Sequence, residues 1–292
     1  MRPGKSALVA AVLAAVSSGC AEARGENIAA AESELVMVEH APVLLAAMVP
    51  ARVRQPLPAE PPAACPDGMV LVEGGYCPDV EHSCRRYLDP EGPYEHFRCA
   101  EYDTPRCKSA ARVPMRFCMD ADEFTLPGER LPENFKSFTH AERLCAAQGK
   151  RVCRESEWNL ACEGEEMRPY PYGFARDSSA CNADRFDLVG DDGRLKDQRV
   201  PSDTYPRCIS PFGVRNMAGN LEEFVAMDGR GPPRPAMKGA YWQPSRNHCR
   251  AAQTAHDRYY NGIETGFRCC AGASSAELKA VGSTGRPMPS TL

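Results

Sequence analysis

The chain has 292 residues, 43% apolar and 25% charged, enough to bury a sizeable core as one or two domains. Its 35 basic and 39 acidic side chains leave a formal net charge of −4, with no basic block and no interleaving of aromatic and basic residues, so nucleic acid is not an expected partner. Its 15 cysteines are a large complement and an odd one.

In chain order, the first element is a leader. "MRPGKSALVAAVLAAVSSGC" sets Arg2 and Lys5 before an apolar run from Ala7 to Val16, followed by small residues. That pattern predicts a secretory signal over 1–20, because the run is too short to span a bilayer. Two cleavage readings compete. "SSGC" resembles a bacterial lipobox ending at Cys20, although Ser17 stands where such boxes carry Leu; "AEA", Ala21 to Ala23, suits ordinary signal cleavage. Lipidation of Cys20 is the preferred reading, and it would tie the protein to a membrane of the bacterial cell envelope. Under either reading 15 − 1 = 14 cysteines remain, an even number that allows seven disulfides in an oxidising compartment.

Residues 21–64 read as a tether, since "VPARVRQPLPAEPPAA" is dominated by Pro and Ala and favours extended chain over a packed core. A folded N-terminal piece would rest on "LVMVEHAPVLLAAMV" alone, which Pro42 interrupts as a helix. The folded body is expected over 65–270, and a small, polar, disordered tail over 271–292.

Inside the body "GMVLVEG" and "GFRCC" read as strands. A first helix is expected over "HAERLCAAQG", capped by Thr139 with Glu142 completing a capping box and stopped at Gly149. Ala141, Leu144, Cys145 and Gln148 would share its inner face. A second helix is expected over "ESEWNLAC", with Trp158 and Cys162 on one face. The acidic run Glu155, Glu157, Glu163, Glu165 and Glu166 reads as a solvated surface. Cys269 and Cys270 should point to opposite faces of a strand and so take different partners. The class is α+β, loop-rich, with disulfides substituting for regular structure.

Six segments, in order, carry a resemblance: "MVLVEGGYC", "FCMDADEFT", "AERLCAAQGKRVCRESEWNLAC", "YPYG", "FGVRNMAGNLEEFVA" and "KGAYW…HCRAAQ…TGFRCC". Together they resemble the formylglycine-generating-enzyme, or sulfatase-modifying-factor, domain family. The resemblance implies an irregular α+β fold related to C-type lectins.

It also implies what to look for in a site. The family's defining enzymes oxidise a substrate cysteine with oxygen, using two cysteines that hold copper, and soft thiolates suit Cu(I). Here only Cys249 lies in that region, in the place of a structural cysteine, and Gln243 and Pro244 stand where the other is expected. Copper is therefore not expected, and a binding or accessory role is preferred; the alternative is an oxygen-dependent oxidoreductase with a divergent site around Cys249 and Trp242. His248, Cys249 and His256 form the one candidate transition-metal cluster, set against a disulfide-bonded Cys249 beside an exposed His248. The resemblance implies calcium on Asn182 and Asp192 and on Asn220 and Glu223, set against a turn whose side chains bond their own backbone. A groove of Tyr241, Trp242, Arg250 and Arg268 would take a peptide or small molecule. Disulfide candidates are Cys65 with Cys77, Cys181 with Cys208, and Cys249 with Cys269 or Cys270.

Overall fold

The computed structural model describes residues 63–274; the leader, Cys20, the tether up to 62 and the tail from 275 lie outside the described residues. Twelve strands and two helices follow in order: β1 (Met69–Tyr76), β2 (Val80–Glu81), β3 (Cys84–Tyr87), β4 (Cys99–Tyr102), β5 (Arg106–Cys107), β6 (Val113–Asp120), α1 (Phe138–Ala147), β7 (Arg151–Val152), α2 (Glu155–Glu163), β8 (Glu222–Ala226), β9 (Pro235–Lys238), β10 (Ala252–Gln253), β11 (Thr265–Phe267) and β12 (Cys269–Gly272). One four-stranded sheet runs β1-β6-β12-β7 and a second runs β10-β9-β8-β11; β2-β5 and β3-β4 are separate ribbons. Among the described residues no helix is long and apolar enough to cross a membrane.

The longest pairing is β1 with β6, antiparallel over eight residues, and it sets Val72 opposite Phe117 and Val70 opposite Met119. Val72, Phe117 and Met119 join Trp158, Leu160, Met217 and Val225 in the main core. A second core packs Phe124, Phe138, Phe224 and Phe267 under α1.

Helix α1 starts two residues earlier than the sequence signals imply. Its cap is Ser137, whose hydroxyl accepts from the His140 backbone N–H while His140 Nδ1 accepts from the Ser137 N–H. Thr139 is inside the helix, its hydroxyl bonded to that of Ser137. Phe138, Ala141 and Cys145 are its buried face; Gln148 is the exposed C-cap, and Gly149 follows with φ +68°.

Helix α2 is buried on every side, with Trp158, Leu160, Ala161 and Cys162 fully covered. Of the acidic run, Glu165 and Glu166 are exposed as expected, but the glutamates of α2 itself do not form a solvated face. Glu157 is 5% exposed and paired bidentately with Arg151 at 2.5 and 2.7 Å, and Glu163 is fully buried against Arg250. A helix this enclosed keeps its carboxylates only because each has a cationic partner, Arg151 for Glu157, Arg250 for Glu163 and Lys238 for Glu155.

All fourteen described cysteines are in disulfides. The pairs are Cys65–Cys118, Cys77–Cys107, Cys84–Cys99, Cys145–Cys269, Cys153–Cys270, Cys162–Cys249 and Cys181–Cys208. Cys181–Cys208 is the pair expected from sequence. Cys65 bonds Cys118 on β6, not Cys77, because Cys77 ends beyond β1 where it meets Cys107 of the β2-β5 ribbon. Cys249 bonds Cys162 of α2, not the C-terminal pair; Cys269 and Cys270 point to opposite sides and reach α1 and the segment after β7. The ordered chain also continues past Cys270, since Ser274 N–H donates to the Ala64 carbonyl at 3.0 Å.

Candidate functional site

The segment Phe212 to Ala226 is a run of tight turns that feeds β8. Asn216, Gly219 and Asn220 have φ of +56°, +85° and +61°, left-handed backbone that Gly and Asn tolerate. Gly219 is obligatory for a second reason: a Cβ there would lie 2.8 Å from the Asn182 carbonyl carbon. Asn220 is consumed by the fold. Its Oδ1 accepts from Val200 N–H at 2.9 Å and Asn182 Nδ2 at 3.0 Å, and its Nδ2 donates to Glu123 at 2.7 Å.

Glu223 is likewise occupied. Its carboxylate takes Arg268 at 2.6 and 2.7 Å and Trp158 Nε1 at 2.9 Å. The remaining Arg268 donors go to the carbonyls of Asp120 and Arg215. Beside them Glu123, completely enclosed, accepts from Leu221 N–H, Asn220 and Asn216. Burial and the charge of Glu223 hold the Glu123 carboxyl well above the usual carboxylate range.

These contacts test the residues implied as calcium ligands. Asn182 Oδ1 accepts from Arg185, Asn220 Oδ1 from two N–H groups, and both Glu223 oxygens from a guanidinium. Asp192 is apart from them in an exposed turn, where it accepts the Arg194 N–H. Hard cations require several free oxygens converging on one point; as placed, the side-chain oxygens of Asn182, Asn220 and Glu223 are filled by N–H donors and Asp192 stands apart from them, an arrangement that does not fit calcium. Among the described residues no group of three His, Cys, Asp or Glu side chains converges as a metal site.

The candidates around Cys249 are placed just as firmly. Cys249 and Trp242 are fully buried, and Trp242 Nε1 has no hydrogen-bond partner among the described residues. His248 is not an exposed neighbour: it is half-buried near His82, its ring centroid 6.2 Å away, and desolvation pushes its pKa down to about 3. His256 is elsewhere, stacked on Tyr260 with centroids 3.6 Å apart. Of the expected groove residues, Tyr241 lines a cavity, while Arg250 is committed to Glu163 and Arg268 to Glu223.

That cavity, of about 340 Å³, is the candidate site. Gln243, Tyr241, Tyr260, Glu222, Glu264 and Phe97 are among its walls. Strand alternation explains one of them: Glu223 points inward to Arg268, so its neighbour Glu222 faces the other way. β11 runs parallel to β8 with Thr265 opposite Glu222, which brings Glu264 alongside, and Glu222 N–H donates to the Glu264 carbonyl. Glu264 accepts the Tyr260 hydroxyl at 2.6 Å. Burial, then the Glu264 charge, push the Glu222 carboxyl up to about 7, and burial with both glutamates pushes Tyr241 up to about 12. Phe97 comes from the segment between β3 and β4 and carries Arg246 over its ring at 5.6 Å. A second cavity of about 220 Å³, lined by His82, Tyr102 and His248, shares Phe97 and Arg246 with the first.

Fold and site together define an α+β domain bound by seven disulfides around a buried ion pair, with a phenolic, acidic cavity beside the "GAYWQPS" loop. A family model described as the sulfatase-modifying factor enzyme 1-like domain matches residues 116–273, and the chain belongs to that family. The hercynine oxygenase of Mycolicibacterium smegmatis is 30% identical over 105 residues, 35% of this chain but 22% of that protein's length. Two solved structures are similar at lower identity. PvdO from Pseudomonas aeruginosa matches with a TM-score of 0.48 and 16% identity over 70% of this chain and 94% of its own. CarF matches with 0.45 and 14% over 72% and 99%.

Sequence reasoning missed Glu222, Glu264, Tyr260 and Phe97. The alternation of Glu222 with Glu223 in β8 was a usable signal for the first. Tyr260 and Glu264 meet through a loop with no periodicity, and Phe97 precedes the matched segment.

Proposed function

We propose that this chain is a binding or accessory member of its family, working outside the cytoplasm, attached to a membrane through a lipid on Cys20, and using the Tyr241–Glu264 cavity to hold a small molecule or peptide. One observation carries the reading: Cys249 is fully buried and bonded to Cys162, and Gln243 stands where the resemblance calls for a second cysteine. A cysteine in a disulfide offers no thiolate to a soft metal. The seven disulfides point to an extracellular or periplasmic protein, where such bonds persist.

The deciding experiment incubates the oxidised protein with copper and oxygen and a sulfatase-type cysteine peptide, then weighs the peptide. An unchanged mass, with no copper retained after desalting, supports the binding role. Conversion of the cysteine would overturn it and establish an oxidoreductase. Metabolic labelling with a fatty acid, compared between the native chain and Cys20→Ser, tests the anchor separately.

A further inference from the structure

The charge balance of the cavity defines its ligand, given the binding role proposed above. Buried carboxylates elsewhere in the domain are matched in place: Glu223 by Arg268, Glu163 by Arg250, Glu157 by Arg151, and Glu123 by three N–H donors. Glu222 and Glu264 are not. Glu264 is 9% exposed, its Oε1 holds only the Tyr260 hydroxyl, and its Oε2 has no hydrogen-bond partner among the described residues. Glu222 has no side-chain hydrogen bond or ion pair among the described residues. Both line the same cavity. Arg246 and His256 line it as well, yet neither forms an ion pair with either glutamate.

Two neighbouring carboxylates drawn partly out of water, neither of them ion-paired, cost free energy that a ligand can recover. The walls around them are aromatic, and ring faces attract organic cations. A divalent metal ion is poorly served here, because two carboxylates and a phenol fall short of the six to eight oxygens calcium takes. Space for the pair is made by Gly262, where a Cβ would lie 2.6 Å from the Glu264 carboxyl carbon.

We infer that the cavity binds an organic cation, an alkylammonium or guanidinium group, seated between the carboxylates of Glu222 and Glu264 and against the rings of Tyr241, Tyr260 and Phe97. Such a group occurs as a free amine or as the basic side chain of a peptide. The elevated Glu222 pKa adds a signature. The groups facing Glu222 are Glu264, Tyr241, Tyr260, His256 and Arg246; the neighbouring carboxylate and burial set its proton affinity. A bound cation favours the ionised carboxylate, so affinity rises with pH across the neighbourhood of 7.

Calorimetry on the intact oxidised chain tests this with n-butylammonium, n-butylguanidinium and a blocked lysine tripeptide. Butyramide at matched ionic strength is the neutral control. The expected result is saturable binding of the cations and none of butyramide, tighter at pH 8 than at pH 6, and weakened about tenfold or more in Glu264→Gln. Tighter binding of the tripeptide than of butylammonium assigns the cation to a peptide, and the reverse to a free amine. Glu222→Gln should weaken binding and remove its pH dependence, and it decides the matter if Glu264→Gln fails to fold. Absence of binding by every cation, equal binding of butyramide, or undiminished binding in both variants would overturn the assignment. None of these readouts involves copper or peptide oxidation, so this inference and the accessory role can fail separately.

Discussion

Arg268 and Glu223 meet in the centre of the domain as a two-point ion pair, each side chain 1% exposed, with Trp158 Nε1 as a third donor to the carboxylate. Glu223 belongs to β8 and Arg268 to the break between β11 and β12, so the pair joins the two four-stranded sheets. Removing one partner strands the other in a place water does not reach. Glu223→Ala is expected to lower unfolding free energy by about 3–5 kcal/mol, measured by urea denaturation. Equal stability of variant and native protein would mean that solvent enters this core.

Gly219 combines a φ of +85° with contact against the Asn182 backbone. Gly219→Ala therefore meets both a strained conformation and a steric collision with main chain that is itself hydrogen-bonded to Asn220. A loss of about 2–4 kcal/mol is expected in the same denaturation assay, against about 1–2 kcal/mol for Ala at Gly193, where the φ of +74° is strained but the surroundings are open.

The pH dependence of stability has a definite sign at Glu222. Its folded pKa is about 7 against an ordinary 4.5, so the folded state retains a proton that the unfolded chain has released between these values. Stability contributed by this group is thus greatest below 4.5 and falls as pH rises to 7. Glu222→Gln should match the native protein near pH 4 and exceed it by about 1–3 kcal/mol at pH 8. Thermal melts across that range check it; parallel curves for the two proteins would contradict the placement of Glu222.

Alkylation of the unfolded protein without reductant should label none of the fourteen described cysteines. Replacing Cys162 and Cys249 together by Ala should cost about 2–5 kcal/mol, since the bond closes a separation of 87 residues. A pair of reactive thiols in the native protein would reopen thiolate chemistry.

Chelation offers a further check. The oxygens of Asn182, Asn220 and Glu223 are occupied by N–H donors, so EDTA should leave the melting temperature where it was. A drop on chelation, restored by calcium, would show that these side chains rearrange around the ion.

How much of this was legible depended on whether the information was local. The helices announced themselves through 3.6-residue periodicity and the flanking Gly149, and the family through the order of short segments. The α1 cap slipped because Ser137 and Thr139 both satisfy the cap pattern, and His140, rather than Glu142, reaches back to close it. Glu165 and Glu166 are solvated as the acidic run implies, but nothing near Glu163 in sequence shows that Arg250, 87 residues on, arrives as its partner. Disulfide connectivity was hidden for the same reason: spacing constrains it weakly, while the sheet order decides which cysteines meet. The cavity was hardest, since Phe97, Glu222, Tyr260 and Glu264 are assembled from three separate parts of the chain.

The last strand carries two adjacent cysteines that reach back 124 and 117 residues, to Cys145 and Cys153. β12 also lies between β6 and β7 in its sheet. The domain therefore has a keystone at its trailing end: the staples cannot both close until residues 269 and 270 have emerged. A chain halted short of that point would have an unfilled gap between β6 and β7 and two unpaired thiols, at Cys145 and Cys153.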